Sequence, residues 1–245
     1  MTGAFLNAIG ILLGGLLGLA LRKPLSFRTQ AFFRAALGLS AIFFGLRLVW
    51  LNLGGTPLSV LRQILIALLA VTAGVWLGKL LRLQKWSNRL GRRAGNSIAS
   101  AQASAPRKAG DGFAACAVLF CAAPLGWLGA VTDGLSGNFS LLAVKAVMDA
   151  LAMAGFVKMF RWPAALSAFP VWVFLGGITL ACRHYAAPFL DSHSLHEHDL
   201  INSVNATAGL IACAVALVIF EVRKVELANF LPALALAQLL AWLFR

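Results

Sequence analysis

Three charged side chains, Asp133, Lys145 and Asp149, lie in or beside otherwise apolar sequence. Lys145 and Asp149 are four residues apart in LLAVKAVMDA, so on a helix they share a face and can pair. Charge placed in hydrocarbon is costly, and it tends to be kept where it lines a route for an ion or a polar solute. On that reading Asp149 lines a pathway and Lys145 is its counter-ion or an anion contact. The competing reading is an internal salt bridge that fixes helix register. Asp133 stands in TDGLSG beside Gly134 and Gly137, either as an exposed turn residue or as the mouth of the same pathway.

Uncharged polar groups add to this set. Asn202, Asn205 and Thr207 open one apolar run, and Asn229 precedes Pro232 in the last. Amides near interrupted helices can coordinate a cation or hydrogen-bond a solute, and they also serve as interhelical hydrogen bonds. Pro124, Pro170 and Pro232 each fall inside an apolar run, where a proline is expected to free a carbonyl and bend the helix. The stretch DSHSLHEHDL holds His193, His196 and His198 with three carboxylates. These are weak metal candidates without a four-ligand spacing, and a solvated loop is the simpler reading. HExxH, Walker, GxSxG and dinucleotide-binding patterns are all missing, so no enzyme and no cofactor are expected.

The elements that position these residues follow from composition. The 245 residues are 60% hydrophobic and 12% charged, and the mean hydropathy is +0.85. That pattern excludes an ordinary soluble domain and marks a helical membrane protein. Continuous apolar runs near 4–21, 31–53, 59–81, 113–132, 140–160, 164–187, 201–220 and 226–244 predict eight membrane helices in one integral domain. They are too long and too continuous for spanning strands. At 1.5 Å per residue, Asp149 lies about 15 Å into its helix and Lys145 about 8–9 Å. The first positive charges follow the first apolar run, the reverse of a signal peptide, so that run is expected to stay as a membrane helix. Cys116, Cys121, Cys182 and Cys213 all lie in apolar runs and read as small buried residues.

A formal net charge of +13 raises nucleic acid as a partner. The basic residues, however, fall between apolar runs rather than on one face, so they read as a topology signal and no nucleic acid is expected. Arg22, Lys23, Arg28 and Arg34, the stretch from Lys79 to Lys108, Lys158 with Arg161, and Arg223 with Lys224 share one side. Arg47, Arg62, Arg183 and Arg245 lie on the other. This places the basic side in the cytoplasm and both termini outside. The connection 83–112 reads as a basic cytoplasmic linker: LQKWSNRLGRRAG suits a helix on the membrane surface, and NSIASAQASAPRKAGDG a mobile tail.

LGGLLGLALR in the first run is echoed by LGGITLACR in the sixth, and RAALGLSAIFFGLRL in the second by NATAGLIACAVALVIF in the seventh. Helices one to three and six to eight then form an inverted pair around helices four and five. Small residues recur every four positions, as in Gly10, Gly14 and Gly18 or Ala70, Gly74 and Gly78. They predict close internal packing, with a homo-oligomer seam as the alternative.

Asp111-Gly112-Phe113 followed by LFCAAPLGWLGAVTDGLSGNFSLLAVKAVMDA closely resembles the YqgA/YdfK-type bacterial membrane proteins, the family of domain of unknown function 554. Leu119, Phe120, Cys121, Pro124, Leu128, Gly129, Asp133, Gly134, Leu135, Gly137, Lys145 and Asp149 carry the match, and Asn7, NATAGL and ANFLPAL extend it. Asn138, Ser203 and the stretch Phe174-Leu175-Gly176 depart from the family's Asp, Glu and Gln, which removes polar groups. The resemblance implies a transporter or channel of the bacterial inner membrane, sometimes labelled as sodium-related, with no settled substrate. The expected function is passage of a small ion or polar solute past Asp149, Lys145, Asp133, Asn205, Asn229 and Asn7. The alternative is a non-transporting scaffold or regulator acting through the basic linker on lipids or partners.

Overall fold

The computed structural model describes residues 1–21, 26–103, 109–190 and 195–244, without the side chains of 101–103, 109–111, 186–190 and 195–199. The chain is an all-α bundle: α1 (Thr2–Ala20), α2 (Phe27–Leu51), α3 (Pro57–Leu80), α4 (Leu83–Ala103), α5 (Ala109–Ala122), α6 (Pro124–Ser136), α7 (Ser140–Phe160), α8 (Ala168–Leu190), α9 (Leu195–Ile219) and α10 (Leu231–Leu243). The 3-10 segments Trp162–Ser167 and Leu227–Phe230 lead into α8 and α10. Helix starts are set locally: Ser26 Oγ accepts from the Thr29 amide at 3.2 Å, and Thr56 Oγ1 from Ser59 at 3.3 Å ahead of Pro57.

Among the described residues six helices are long and apolar enough to cross a membrane, and α5 with α6 passes the same test as a pair bent by 59° at the break. The last apolar helix, Leu227–Leu243, is shorter than a full crossing. The eight expected crossings therefore become six continuous helices, one broken pair and one short helix. The proline expectation also needs correcting, because only Pro124 interrupts a span. Pro170 and Pro232 fall in the first turns of α8 and α10, where a proline's missing N–H has no intrahelical acceptor to lose.

Two apolar clusters hold the bundle together. One joins α1, α5, α7 and α8 through residues such as Ile11, Phe120, Met153 and Leu175. The other joins α2, α3, α9 and α10 through Leu37, Ala70, Ile211 and Leu234. Helices α6 and α7 belong to both, with Leu128 and Val144 facing one cluster and Ala130 and Leu142 the other. The charged residues of α7 thus stand at the seam between the two halves.

The small-residue stripes lie at close internal crossings. Gly10, Gly14 and Gly18 of α1 meet Ala146, Ala150 and Ala154 of α7, the two helices running parallel. Gly45 of α2 meets Gly209 of α9, and Gly74 and Gly78 of α3 meet Ala233 and Asn229. Backbones close enough to touch replace the hydrophobic drive that lipid withholds. Helix α1 also packs against α8, α2 against α9 and α3 against α10. The facing residues make each of these pairs antiparallel, as an inverted repeat of these helices requires.

Helix α4 continues to Ala103, so residues 96–103 are helical rather than the mobile tail expected from their composition. It docks through Ser87, Ala94 and Ile98, at helical spacing on one face. Trp86 and the basic residues Arg89, Arg92 and Arg93 stay exposed.

Candidate functional site

The site is built where α5 stops. Pro124 ends the α5 hydrogen-bonding pattern and starts α6 at a new angle. Two bonds stabilise the break: the Gly126 amide donates to the Ala123 carbonyl at 2.9 Å, and Trp127 Nε1 donates to the Cys121 carbonyl at 2.6 Å. Irregular backbone within a membrane span is tolerated where protein groups satisfy it. Here Ala122, Leu125 and Gly126 are buried.

Lys145 of α7 reaches this break. Its side chain is 1% exposed and its Nζ donates to Asp149 Oδ2, one turn further along the same helix. The ammonium also lies 5.7 Å from the centre of the Phe120 ring, in the last turn of α5. A cation there meets both an aromatic face and the negative end of a helix dipole. A β-carbon at position 126 would come within 2.8 Å of Lys145 Cε, so glycine makes room for the lysine stem beside α6. The expected pairing of Lys145 with Asp149 is present.

Asn7 of α1 completes the group. It is fully buried and lies beside Asp149, yet both of its amide atoms lack a well-aligned hydrogen-bond partner. A buried amide is costly to keep unless it finds a partner, and the Asp149 carboxylate is the group within its reach. Asn7, Lys145 and Asp149 therefore bring donors and an acceptor from two helices to one break in a third. Three cavities lie elsewhere and are lined by other side chains, and the pair itself is buried, its side chains 1% and 9% exposed.

Asp133 is not the exposed turn residue that was one of its two expected settings. It lies inside α6 rather than in a turn and is 5% exposed. Its Oδ2 accepts from the Gly3 amide at 3.2 Å and faces the Met1 amino group at 3.3 Å. A carboxylate at a helix N-terminus satisfies free N–H groups and complements the dipole, so Asp133 caps α1 across the bundle. The turn itself belongs to Gly137, which ends α6 at φ 72°.

Asn205 and Asn229 have partners away from the break. Asn205 Nδ2 donates to Asn52 Oδ1 at 3.0 Å, joining α9 to the end of α2. Asn229 Oδ1 accepts from the Gln84 amide at 3.2 Å while its Nδ2 donates to Glu226 at 2.6 Å, which ties α4 to the start of α10. His193 lies outside the described residues. His196 and His198 fall in the first turn of α9 with their side chains outside the description, so residues 195–199 are helix rather than loop. Among the described residues no three His, Cys, Asp or Glu side chains could hold a metal ion.

The sequence profile of a family described as "Protein of unknown function (DUF554)" matches residues 2–242. The chain is 29% identical to "Uncharacterized protein YqgA" of Escherichia coli (strain K12), over 99% of this chain and 97% of that one. It is 23% identical to "Uncharacterized membrane protein YdfK" of Bacillus subtilis (strain 168), over 96% and 93% respectively. No solved structure matches.

Proposed function

The chain belongs to the DUF554 family, and from its own geometry we propose that it is a transporter or channel for a small ion or polar solute, with no enzymatic chemistry. The observation that carries the proposal is the meeting of the buried Lys145–Asp149 pair with the buried Asn7 amide beside Asp149, next to the α5–α6 break. Broken helices that leave carbonyls and N–H groups at membrane depth are a recurrent way of building a solute site. A cation would take the place of the Lys145 ammonium at Asp149, and an anion or polar solute would take the place of Asp149 at Lys145. Asn7 can donate to one and accept from the other. Parting the pair opens the site, and the two core clusters on either side of α7 are the bodies that would move. The protein would sit in a bacterial inner membrane with its basic end in the cytoplasm.

The test is flux into liposomes reconstituted with the purified protein, using indicators for protons, sodium, potassium and chloride. Wild-type protein should exceed protein-free vesicles for at least one ion, and Asp149→Asn should return the rate to the protein-free level while eluting as a folded species. Equal rates for wild-type and empty vesicles, or for wild type and Asp149→Asn, would overturn the reading.

A second reading rests on α4, whose exposed face carries Trp86, Arg89, Arg92 and Arg93. A basic face with an aromatic anchor suits an anionic membrane surface or an acidic partner. On this scaffold reading, removing the α4 arginines abolishes function and Asp149→Asn leaves it intact.

A further inference from the structure

A cavity of about 490 Å³ opens between α2, α7 and α9 at the basic end of the bundle. Along α7 it is walled by Met148, Leu151 and Gly155 and ends at Lys158, so its α7 wall rises about 15 Å over those ten residues. That is about half the hydrocarbon thickness of a bilayer, the depth of one leaflet. Leu37 of α2 and Ile219 of α9 continue the apolar wall. The other end is charged. Lys158 Nζ is covered and, among the described residues, has no hydrogen-bond partner. Arg34 lines the same end and pairs with Glu221, whose side chain is 70% exposed. An exposed pair of this kind is weak and readily exchanged, whereas an ammonium held from water calls for a counter-charge.

We infer that this groove binds an anionic phospholipid, its phosphate against Lys158 and Arg34 and one acyl chain along Met148, Leu151 and Gly155. The features that select it are the leaflet-length apolar wall, the cationic end, and the position of that end on the basic side where anionic headgroups gather. The binding stands apart from the transport reading, because none of these residues belongs to the α5–α6 site. Position 155 offers a steric probe independent of charge. A β-carbon there would meet nothing within 4 Å, so a larger side chain fits the fold and fills the groove.

The experiment measures binding of phosphatidylglycerol and phosphatidylcholine to the detergent-purified full chain by native mass spectrometry. Wild type should prefer phosphatidylglycerol. Lys158→Met should weaken that binding about fivefold, and Lys158→Arg should restore it. Gly155→Leu should weaken it without lowering the melting temperature, and Lys79→Met, an exposed cation elsewhere on the basic end, should change it less than about twofold. Phosphatidylglycerol binding unchanged in both Lys158→Met and Gly155→Leu overturns the proposal. So does inorganic phosphate that displaces the lipid from wild type and binds Gly155→Leu equally well, since the groove would then be a site for a soluble anion.

Discussion

Gly14 of α1 and Ala150 of α7 touch backbone to backbone: a β-carbon on Gly14 would sit 2.1 Å from the Ala150 carbonyl oxygen and 2.5 Å from its Cα. Neither atom can swing aside, so even one added methyl group must push the helices apart. Gly14→Ala is expected to cost about 1–3 kcal/mol and to lower the melting temperature of the detergent-solubilised protein. The same substitution at Gly155, where a β-carbon meets nothing, should be neutral or slightly stabilising. A Gly14→Ala protein as stable as wild type would show that α1 and α7 are not in this contact.

Removing one member of the Lys145–Asp149 pair leaves the other charge buried. Asp149→Asn should therefore destabilise the fold by about 3–5 kcal/mol. Replacing both residues, as Lys145→Met with Asp149→Leu, should recover most of that loss, because well-packed apolar side chains of similar volume often substitute for a buried pair. The double variant should be folded and without flux. Chemical denaturation measures the first effect and liposome flux the second. A double variant that is both stable and active would make the pair a structural device alone.

The difference between the legible and hidden parts of this molecule lies in the range of the interactions. The apolar runs set the spans because hydrocarbon demands continuous helices, and Lys145 and Asp149 declared their pairing through i, i+4 spacing. Pro124 signalled a true break, whereas Pro170 and Pro232 did not. Their meaning depended on the 3-10 segments that place them in first turns. The capping role of Asp133 was hidden because its partner Gly3 is 130 residues away. The contacts of Phe120 and Trp127 depend on the bend between α5 and α6, which brings Lys145 to one and the Cys121 carbonyl to the other. Lys158 read only as a topology charge, since its unpaired ammonium appears once α2 and α9 close around α7.

The cap that Asp133 places on α1 should be a matter of stability. Asp133→Ala removes a buried acceptor from the Gly3 amide and should cost about 1–3 kcal/mol. Flux per folded molecule should stay near the wild-type value, which separates a cap from a pathway mouth. Measuring flux after normalising to the monodisperse chromatographic peak makes the comparison. A stable Asp133→Ala protein that has lost flux would return Asp133 to the pathway.

The orientation of the bundle can be tested at three exposed positions. Arg62 Nη1 donates to the Phe244 carbonyl at 3.3 Å, so the end of the short helix α10 reaches the same side as the start of α3. Gly54 lies on that side, just before α3, whereas Ser97 is exposed on α4 at the opposite, basic end. With the four native cysteines replaced by alanine, Gly54→Cys and Phe244→Cys should react with a membrane-impermeant maleimide in intact spheroplasts. Ser97→Cys should react only after lysis, because the basic end faces the cytoplasm. The reverse labelling pattern would invert the bundle. Labelling of Gly54→Cys with protection of Phe244→Cys would mean that Leu227–Leu243 turns back before completing its crossing, leaving the two ends of the chain on opposite sides.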